Sequence, residues 1–159
     1  MSLENARNHL KKFGKDARIQ ELGESSATVE LAAAALGVEP ARIAKTLSFR
    51  VGDGAVLVLT AGDAKIDNHK YKELFKCKAR MLSPEELDFF VGHPAGGVCP
   101  FGIKDASTKV FTDISLKRFK TVFPACGTPN SAIELNCGEL FECAGSSGWI
   151  DVCKNWQEG

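Results

Sequence analysis

An α+β fold with a mixed, curved β-sheet is the class that this sequence predicts, and three observations lead to it. Helical and strand patterns interleave without the regular alternation of a βαβ protein. Asp53-Gly54 separates two apolar strand patterns, as in a tight hairpin. The 159 residues contain no repeat, low-complexity tract or linker, so we expect a single domain, 1–159, with a sizeable core.

Helical patterns occur in five segments, and most have a recognisable cap. The predicted helices are 3–13, 29–36, 68–75, 84–91 and 137–144, with a short helical turn at 40–44. Four of them follow a residue that can accept hydrogen bonds from the first helical turn: Thr28, Asp67, Ser83 and Asn136. Ser83 and Glu86 also have the spacing of a capping box. Gly14 and Gly37 are placed to end the first two helices.

Strand patterns occupy the segments between the helices. They are 45–51, 55–60, 77–82, 108–113, 120–126, 131–135 and 149–153. In the first of these, a period of two places Lys45 on the same face as Leu47 and Phe49. An inward lysine needs a partner, which indicates an anionic ligand or a perturbed pKa. The alternative is that the strand begins at Thr46 and that Lys45 extends to water.

The segment 91–104, VGHPAGGVCPFGIK, resembles neither a helix nor a strand. Its glycines permit close backbone approach, and Pro100 fixes the chain after them. Such a loop can direct N–H groups at developing negative charge, although a plain turn has the same composition. It lacks the Gly-Lys-Ser/Thr of a phosphate-binding P-loop and follows a helix, unlike a dinucleotide fingerprint.

Charge and cysteine content restrict the partners. The formal net charge is zero, so the whole molecule does not steer toward nucleic acid. Lysines concentrate in 65–80, where Lys70, Lys72 and Lys76 are the candidate phosphate contacts, or simply part of a solvated face. The six cysteines have no zinc-site spacing, and no apolar run approaches a membrane span. We therefore expect a cytoplasmic protein with free thiols, no metal and no membrane association.

Three motifs together resemble the YbaK/prolyl-tRNA synthetase editing-domain family. They are IAKTLSF before an apolar hairpin, GGVCPFG, and ACGTPNSAIEL, and the similarity runs from about Ser25 to Cys153. The resemblance implies a barrel-like mixed sheet surrounded by helices. It also implies a free-standing aminoacyl-tRNA deacylase that hydrolyses the ester of a mischarged tRNA, tRNA-Pro in the first instance, without a cofactor. Prolyl-tRNA synthetase is then an expected partner.

The resemblance also assigns site residues. Lys45 matches the functional lysine of the family, and Gly96, Gly97 and Pro100 belong to its Gly-x-x-x-Pro loop, so these four are the predicted catalytic residues. The predicted substrate contacts are Ser25, Ser26, Thr28, Val98, Cys99, Phe101, Gly127, Thr128 and Asn130.

Three mechanisms remain open from the sequence. In the first, water attacks the activated ester, with loop N–H groups stabilising the oxyanion and Lys45 orienting the substrate. In the second, Cys99 is a nucleophile assisted by His93, which needs a thiol of low pKa. In the third, the same pocket binds tRNA or an amino-acid-like ligand without catalysis.

Overall fold

The computed structural model describes residues 2–23 and 28–156, and their fold confirms the predicted α+β class. The helices are α1 Ser2–Lys11, α2 Val29–Leu36, α3 Asn68–Phe75, α4 Pro84–Phe90 and α5 Cys137–Ala144. The strands are β1 Gln20–Glu21, β2 Ile43–Val51, β3 Gly54–Ala61, β4 Lys65–Ile66, β5 Lys109–Asp113, β6 Thr121–Pro124, β7 Ser131–Ala132, β8 Leu135–Asn136, β9 Ser146–Ile150 and β10 Cys153–Lys154.

A curled six-stranded mixed sheet forms the centre of the molecule, in the order β8-β6-β2-β3-β5-β9. β2 and β3 form the predicted antiparallel hairpin, β6 pairs with β2 in parallel, and β5 lies parallel to both β3 and β9. β1 pairs with β7 and β4 pairs with β10 in two small antiparallel sheets. The parallel pairs bring segments that are distant in sequence into one half-barrel.

β3 lies deepest in this sheet. All its residues from Ala55 to Ala61 are buried, and the side chains of Leu57, Val58 and Leu59 have no exposed surface. A strand that is buried on both faces reads as a continuous apolar run rather than an alternation, which explains the composition of this segment. The core therefore surrounds the ribbon of β2 and β3.

The four predicted N-caps are confirmed. The side chains of Thr28, Asp67, Ser83 and Asn136 each accept a hydrogen bond from a first-turn N–H group. Ser83 and Asn136 each form a complete capping box with the glutamate three residues later. These interactions are local in sequence, which is why the patterns predicted them correctly.

The prediction of a strand at 77–82 is wrong. The segment makes one isolated bridge, between Met81 and Phe49, flanked by hydrogen bonds from Arg50 N to Arg80 O and from Leu82 N to Ser48 O. β2 pairs with β6 only through Ile43 and Ala44, which leaves its other half for this segment to cover. The predicted alternation of exposure is present without a continuous ladder.

Two other predicted strands are each divided into two. Segment 131–135 contributes β7 to the small sheet with β1, and then β8, which begins at Leu135, to the main sheet. Segment 149–153 is interrupted where the N–H group of Val152 donates to the Asp113 carboxylate at 2.9 Å. In both places the chain changes its pairing partner, which a pattern of alternation does not reveal.

Among residues 2–23 and 28–156, no helix has the length and apolar character needed to cross a lipid bilayer.

Glu86 gives a test of the electrostatics of α4. The Ser83 N–H group, then Arg80 and Arg50, lower the pKa of this carboxyl from 4.5 to about 2. Since the folded-state pKa is the lower one, the stabilisation is present above about pH 4.5 and is lost as the pH falls toward 2. We expect Glu86→Gln to lower the free energy of unfolding at pH 7, with a deficit that shrinks in this window.

The measurement is urea-induced unfolding of both proteins at several pH values. Glu85→Gln is the matched control, because among the described residues no ion pair of the exposed Glu85 is found. A deficit for Glu86→Gln that is the same at pH 2.5 and pH 7 would contradict the assignment.

Candidate active site

A small cavity of about 140 Å³ lies where α2, the start of β2 and the loop 94–98 meet the segment 123–132. Most of its wall is apolar, formed by side chains such as Val29, Ala32, Ile43, Phe123 and Ala125. Its polar lining residues are Thr28, Lys45, Thr46 and Ser131. Four stretches that are far apart in sequence thus form one pocket with a single cationic residue in its lining.

Lys45 lies on the third residue of β2, because the strand begins at Ile43. The alternative, in which the strand starts at Thr46 and Lys45 extends to water, is therefore wrong. Lys45 is half-buried, and its Nζ donates to Ala64 O at 2.5 Å and to Gly62 O at 3.4 Å. Burial lowers the pKa of Lys45 from its ordinary value of 10.5. An ammonium group has three N–H donors, so one remains for a ligand.

The segment 62–64 that receives Lys45 is itself held in place. The Asp63 carboxylate forms a two-pronged ion pair with Arg118, with distances of 3.0 and 2.5 Å. The N–H group of Ala64 also donates to Ala61 O at 3.0 Å. Sequence analysis missed this support, since Asp63 and Arg118 are separated by 55 residues and belong to no motif.

The glycine loop forms a short 3₁₀ turn, Ala95–Gly97, beside the cavity. Gly96 and Val98 line the cavity, whereas Gly97 is buried and its N–H group already donates to Pro94 O at 2.8 Å. A Cβ atom at position 97 would lie 2.5 Å from the carbonyl carbon of Gly127. Gly97 therefore allows two backbone turns to touch, and Gly96 and Val98 are left as the candidate N–H donors.

The turn 127–130 supports the cavity from the other side. Gly127 has a φ of +94°, and a Cβ atom there would lie 2.6 Å from the carbonyl carbon of Ser2. The Thr128 hydroxyl lies 2.7 Å from the Ser131 hydroxyl and 2.9 Å from Asn130 Oδ1. Of these residues only Ser131, which the sequence did not single out, lines the cavity.

Cys99 and Phe101, predicted as substrate contacts, are fully buried in the core and line neither this cavity nor its neighbour. Burial raises the pKa of the Cys99 thiol to about 12. His93 Nε2 donates to Phe101 O at 2.7 Å, and burial lowers the pKa of this imidazole. Neither group has the ionisation that a cysteine nucleophile and its base require.

The remaining predicted residues are placed as follows. Thr28 caps α2 and lines the cavity, while Pro100 is buried beside Cys99 in the chain and does not line it. Ser25 and Ser26 lie outside the described residues.

The three predicted phosphate contacts all lie on α3 or at its end. Lys70 Nζ is engaged by Asp151 at 3.0 Å and by Cys153 O at 3.1 Å. Lys72 and Lys76 are exposed, and within residues 2–23 and 28–156 no ion pair of either is found. Only these two of the three present ammonium groups without a carboxylate partner in the described structure.

Metal chemistry has no candidate centre in the described part of the chain. Nowhere there do three His, Cys, Asp or Glu side chains come together as potential ligands.

Comparisons with known proteins agree with this geometry. The chain is 54% identical, over 99% of its length and 100% of the relative, to the uncharacterized protein YwhH of Bacillus subtilis. It is 33% identical over 109 residues to the proline–tRNA ligase of Bacillus licheniformis, of which it spans 19%. A solved structure described as a candidate trans-editing enzyme for prolyl tRNA synthetase superposes with a TM-score of 0.86. That structure is 30% identical, and the match covers 99% of this chain and 98% of the other.

The family model of the aminoacyl-tRNA editing domain matches residues 23–143. This range includes Lys45, the glycine loop and the turn 127–130, so the residues that surround the cavity lie inside the matched segment. The chain belongs to the aminoacyl-tRNA editing domain family.

Proposed function

We propose that this protein is a free-standing deacylase that hydrolyses the ester of mischarged tRNA-Pro. One observation carries the proposal: Lys45 and the Gly96–Val98 backbone line a single small cavity in a chain of the editing family. The choice of tRNA-Pro is supported by the similarity to proline–tRNA ligases and to the candidate trans-editing enzyme. Prolyl-tRNA synthetase, which supplies mischarged tRNA-Pro, is the proposed partner in the cell.

The ester is proposed to lie between Lys45 and the glycine loop. The third N–H donor of Lys45 points a positive charge at the ester or at the neighbouring phosphate, and fixes the reacting groups. The N–H groups of Gly96 and Val98 donate to the carbonyl oxygen as it becomes an oxyanion, an effect worth about 3–4 kcal/mol for a well-placed donor. Gly97 does not contribute a donor, because its N–H group is bonded to Pro94.

Water is the proposed nucleophile. An aminoacyl ester is already activated, so a positioned water can attack it without a covalent intermediate on the protein. The described cavity wall contains no cysteine and no histidine, which favours this route over a cysteine hydrolase. The amino-acid side chain then occupies the apolar part of the cavity, whose volume of about 140 Å³ excludes large residues by clash.

The direct test is hydrolysis of a panel of tRNA-Pro species, each carrying a different amino acid, measured under single-turnover conditions. We expect cleavage of species with small side chains and resistance of those with aromatic ones. If every ester in the panel survives as it does in buffer, the deacylase proposal fails and the non-catalytic alternative replaces it.

Replacement of Lys45 tests the role of its charge. Lys45→Met keeps most of the apolar volume and removes all three donors, so we expect the deacylation rate to fall about a hundredfold or more. Lys65→Met is the matched control, because Lys65 is an exposed lysine outside the cavity lining. Thermal melting checks the fold, and near-normal turnover in folded Lys45→Met would remove Lys45 from the mechanism.

Replacement of Cys99 separates the water mechanism from the cysteine mechanism. Because the thiol is buried and its pKa is raised to about 12, we expect Cys99→Ser to retain deacylation within about threefold. The rate of alkylation of Cys99 in the folded wild type, followed by mass spectrometry, should be slow. An inert but folded Cys99→Ser protein, together with an acyl group trapped on wild-type Cys99, would establish the cysteine hydrolase instead.

The lysines of α3 are proposed to meet the tRNA backbone. Lys72→Glu/Lys76→Glu should weaken tRNA binding and make its dependence on log salt shallower by about two units, one for each phosphate contact. The identity of the amino acid removed should not change. Lys70→Glu is a poor probe, since it would place two carboxylates together at Asp151. Unchanged affinity of the double variant, measured by fluorescence anisotropy, would mean that tRNA docks elsewhere.

A further inference from the structure

A second, larger cleft adjoins the cavity described above. Its volume is about 570 Å³, and it shares Thr46, Ala95 and Val98 with the smaller cavity. The smaller cavity, at about 140 Å³, is below the usual range of about 300–1,000 Å³ for ligand pockets, whereas the cleft falls within it. A ligand with one small part and one large part therefore fits the two spaces together better than it fits either alone.

The lining of the cleft indicates the chemistry of the larger part. One side is apolar, with Met81, Leu82 and Leu87, and the other carries the hydroxyls of Thr46 and Ser48. No lysine or arginine belongs to the described lining, and its one ionisable acid is Asp88. A phosphate group would meet a carboxylate and no cation there, so the cleft favours an uncharged group with apolar faces and a polar edge.

Two residues of the wall have unsatisfied hydrogen-bonding capacity. Thr46 Oγ1 and His93 Nδ1 are buried polar atoms without a partner among the described residues. Both residues line the cleft, and His93 Nε2 is already committed to Phe101 O. Buried polar atoms are usually paired, so an unpaired hydroxyl and an unpaired ring nitrogen at one wall are compatible with a ligand edge that supplies donors and acceptors.

Met81 gives the cleft a surface for stacking. Its side chain is 52% exposed, although the backbone is held by the bridge to Phe49. A thioether is polarisable and makes favourable contacts with aromatic rings, and bases of single-stranded nucleic acid commonly stack on exposed side chains.

We propose that this cleft binds the terminal adenine of the tRNA acceptor end, with the base against Met81 and its polar edge toward Thr46, Ser48 and Asp88. The inference rests on the proposed deacylase function, because the aminoacyl group of the same nucleotide then enters the smaller cavity past Thr46 and Val98. The base supplies flat apolar faces and an exocyclic amine that can donate to the Asp88 carboxylate. The site thus reads the nucleoside while its neighbour holds the amino acid.

The first experiment uses adenosine 5′-monophosphate as the probe and does not depend on catalysis. Isotopically labelled wild-type protein is titrated with this nucleotide, and with cytidine 5′-monophosphate for comparison, while NMR shifts are recorded. We expect the Met81 methyl and the Thr46 and Leu82 amides to shift, more strongly with the adenine nucleotide. Shifts confined to α3 would identify a phosphate site at the lysines and overturn the proposal.

The second experiment measures single-turnover deacylation as a function of protein concentration. Met81→Ala should raise the half-saturating concentration about tenfold and leave the maximal rate nearly unchanged, because it removes stacking and not the ester contacts. Phe89→Ala is the matched control, since Phe89 is an exposed apolar residue on α4 that does not line the cleft.

The two outcomes separate the two proposals. If the wild type hydrolyses mischarged tRNA, while Met81→Ala equals the wild type and the adenine nucleotide leaves the cleft signals unmoved, the cleft proposal is wrong and the deacylase stands. If no mischarged tRNA is hydrolysed, the deacylase proposal fails, and the nucleotide titration of the wild type still decides whether the cleft binds adenine. That titration also keeps the proposal testable if Met81→Ala does not fold.

Discussion

β2 and β3 pair in an unbroken antiparallel register from Ala44–Ala61 to Val51–Gly54, and the candidate site is built on one end of this ribbon. The register places Lys45 opposite Thr60, so that its ammonium group reaches the carbonyls of Gly62 and Ala64 just beyond β3. A slip of one residue would turn Lys45 onto the other face of the sheet. The buried side chains along β3 make such a slip costly, and the position of the charge is thereby fixed by the hydrophobic core.

Around this fixed point, the rest of the site depends on backbone contacts more than on reactive side chains. The turn at Gly97 touches the turn at Gly127, and this contact sets the distance between the glycine loop and Ser131. A lysine held by carbonyls, a loop with free N–H groups and an apolar wall can bind and polarise an ester. They suit a substrate that already contains an activated bond, and less so one that must be activated by a nucleophile on the protein.

What could be predicted from the sequence was local. The cap of each helix depends on residues three positions apart, and the inward face of Lys45 follows from the period of two in β2. Cys99 could not be placed, because its position in the core rather than at the cavity depends on how the loop packs. The Asp63–Arg118 pair and the change of sheet partner after β7 join segments far apart in sequence, so no periodicity reports them.

α1 lies before residues 23–143, which match the editing-domain family, yet it packs against turns inside that range. Ser2 Oγ donates to Gly92 O at 3.2 Å, and the backbone of Ser2 fills the space beside Gly127. A recombinant fragment trimmed to the family boundaries would therefore leave Gly127 and the Gly92 carbonyl facing solvent. An affinity tag joined directly before Ser2 would emerge beside the same two turns, which makes the opposite terminus the better place for it.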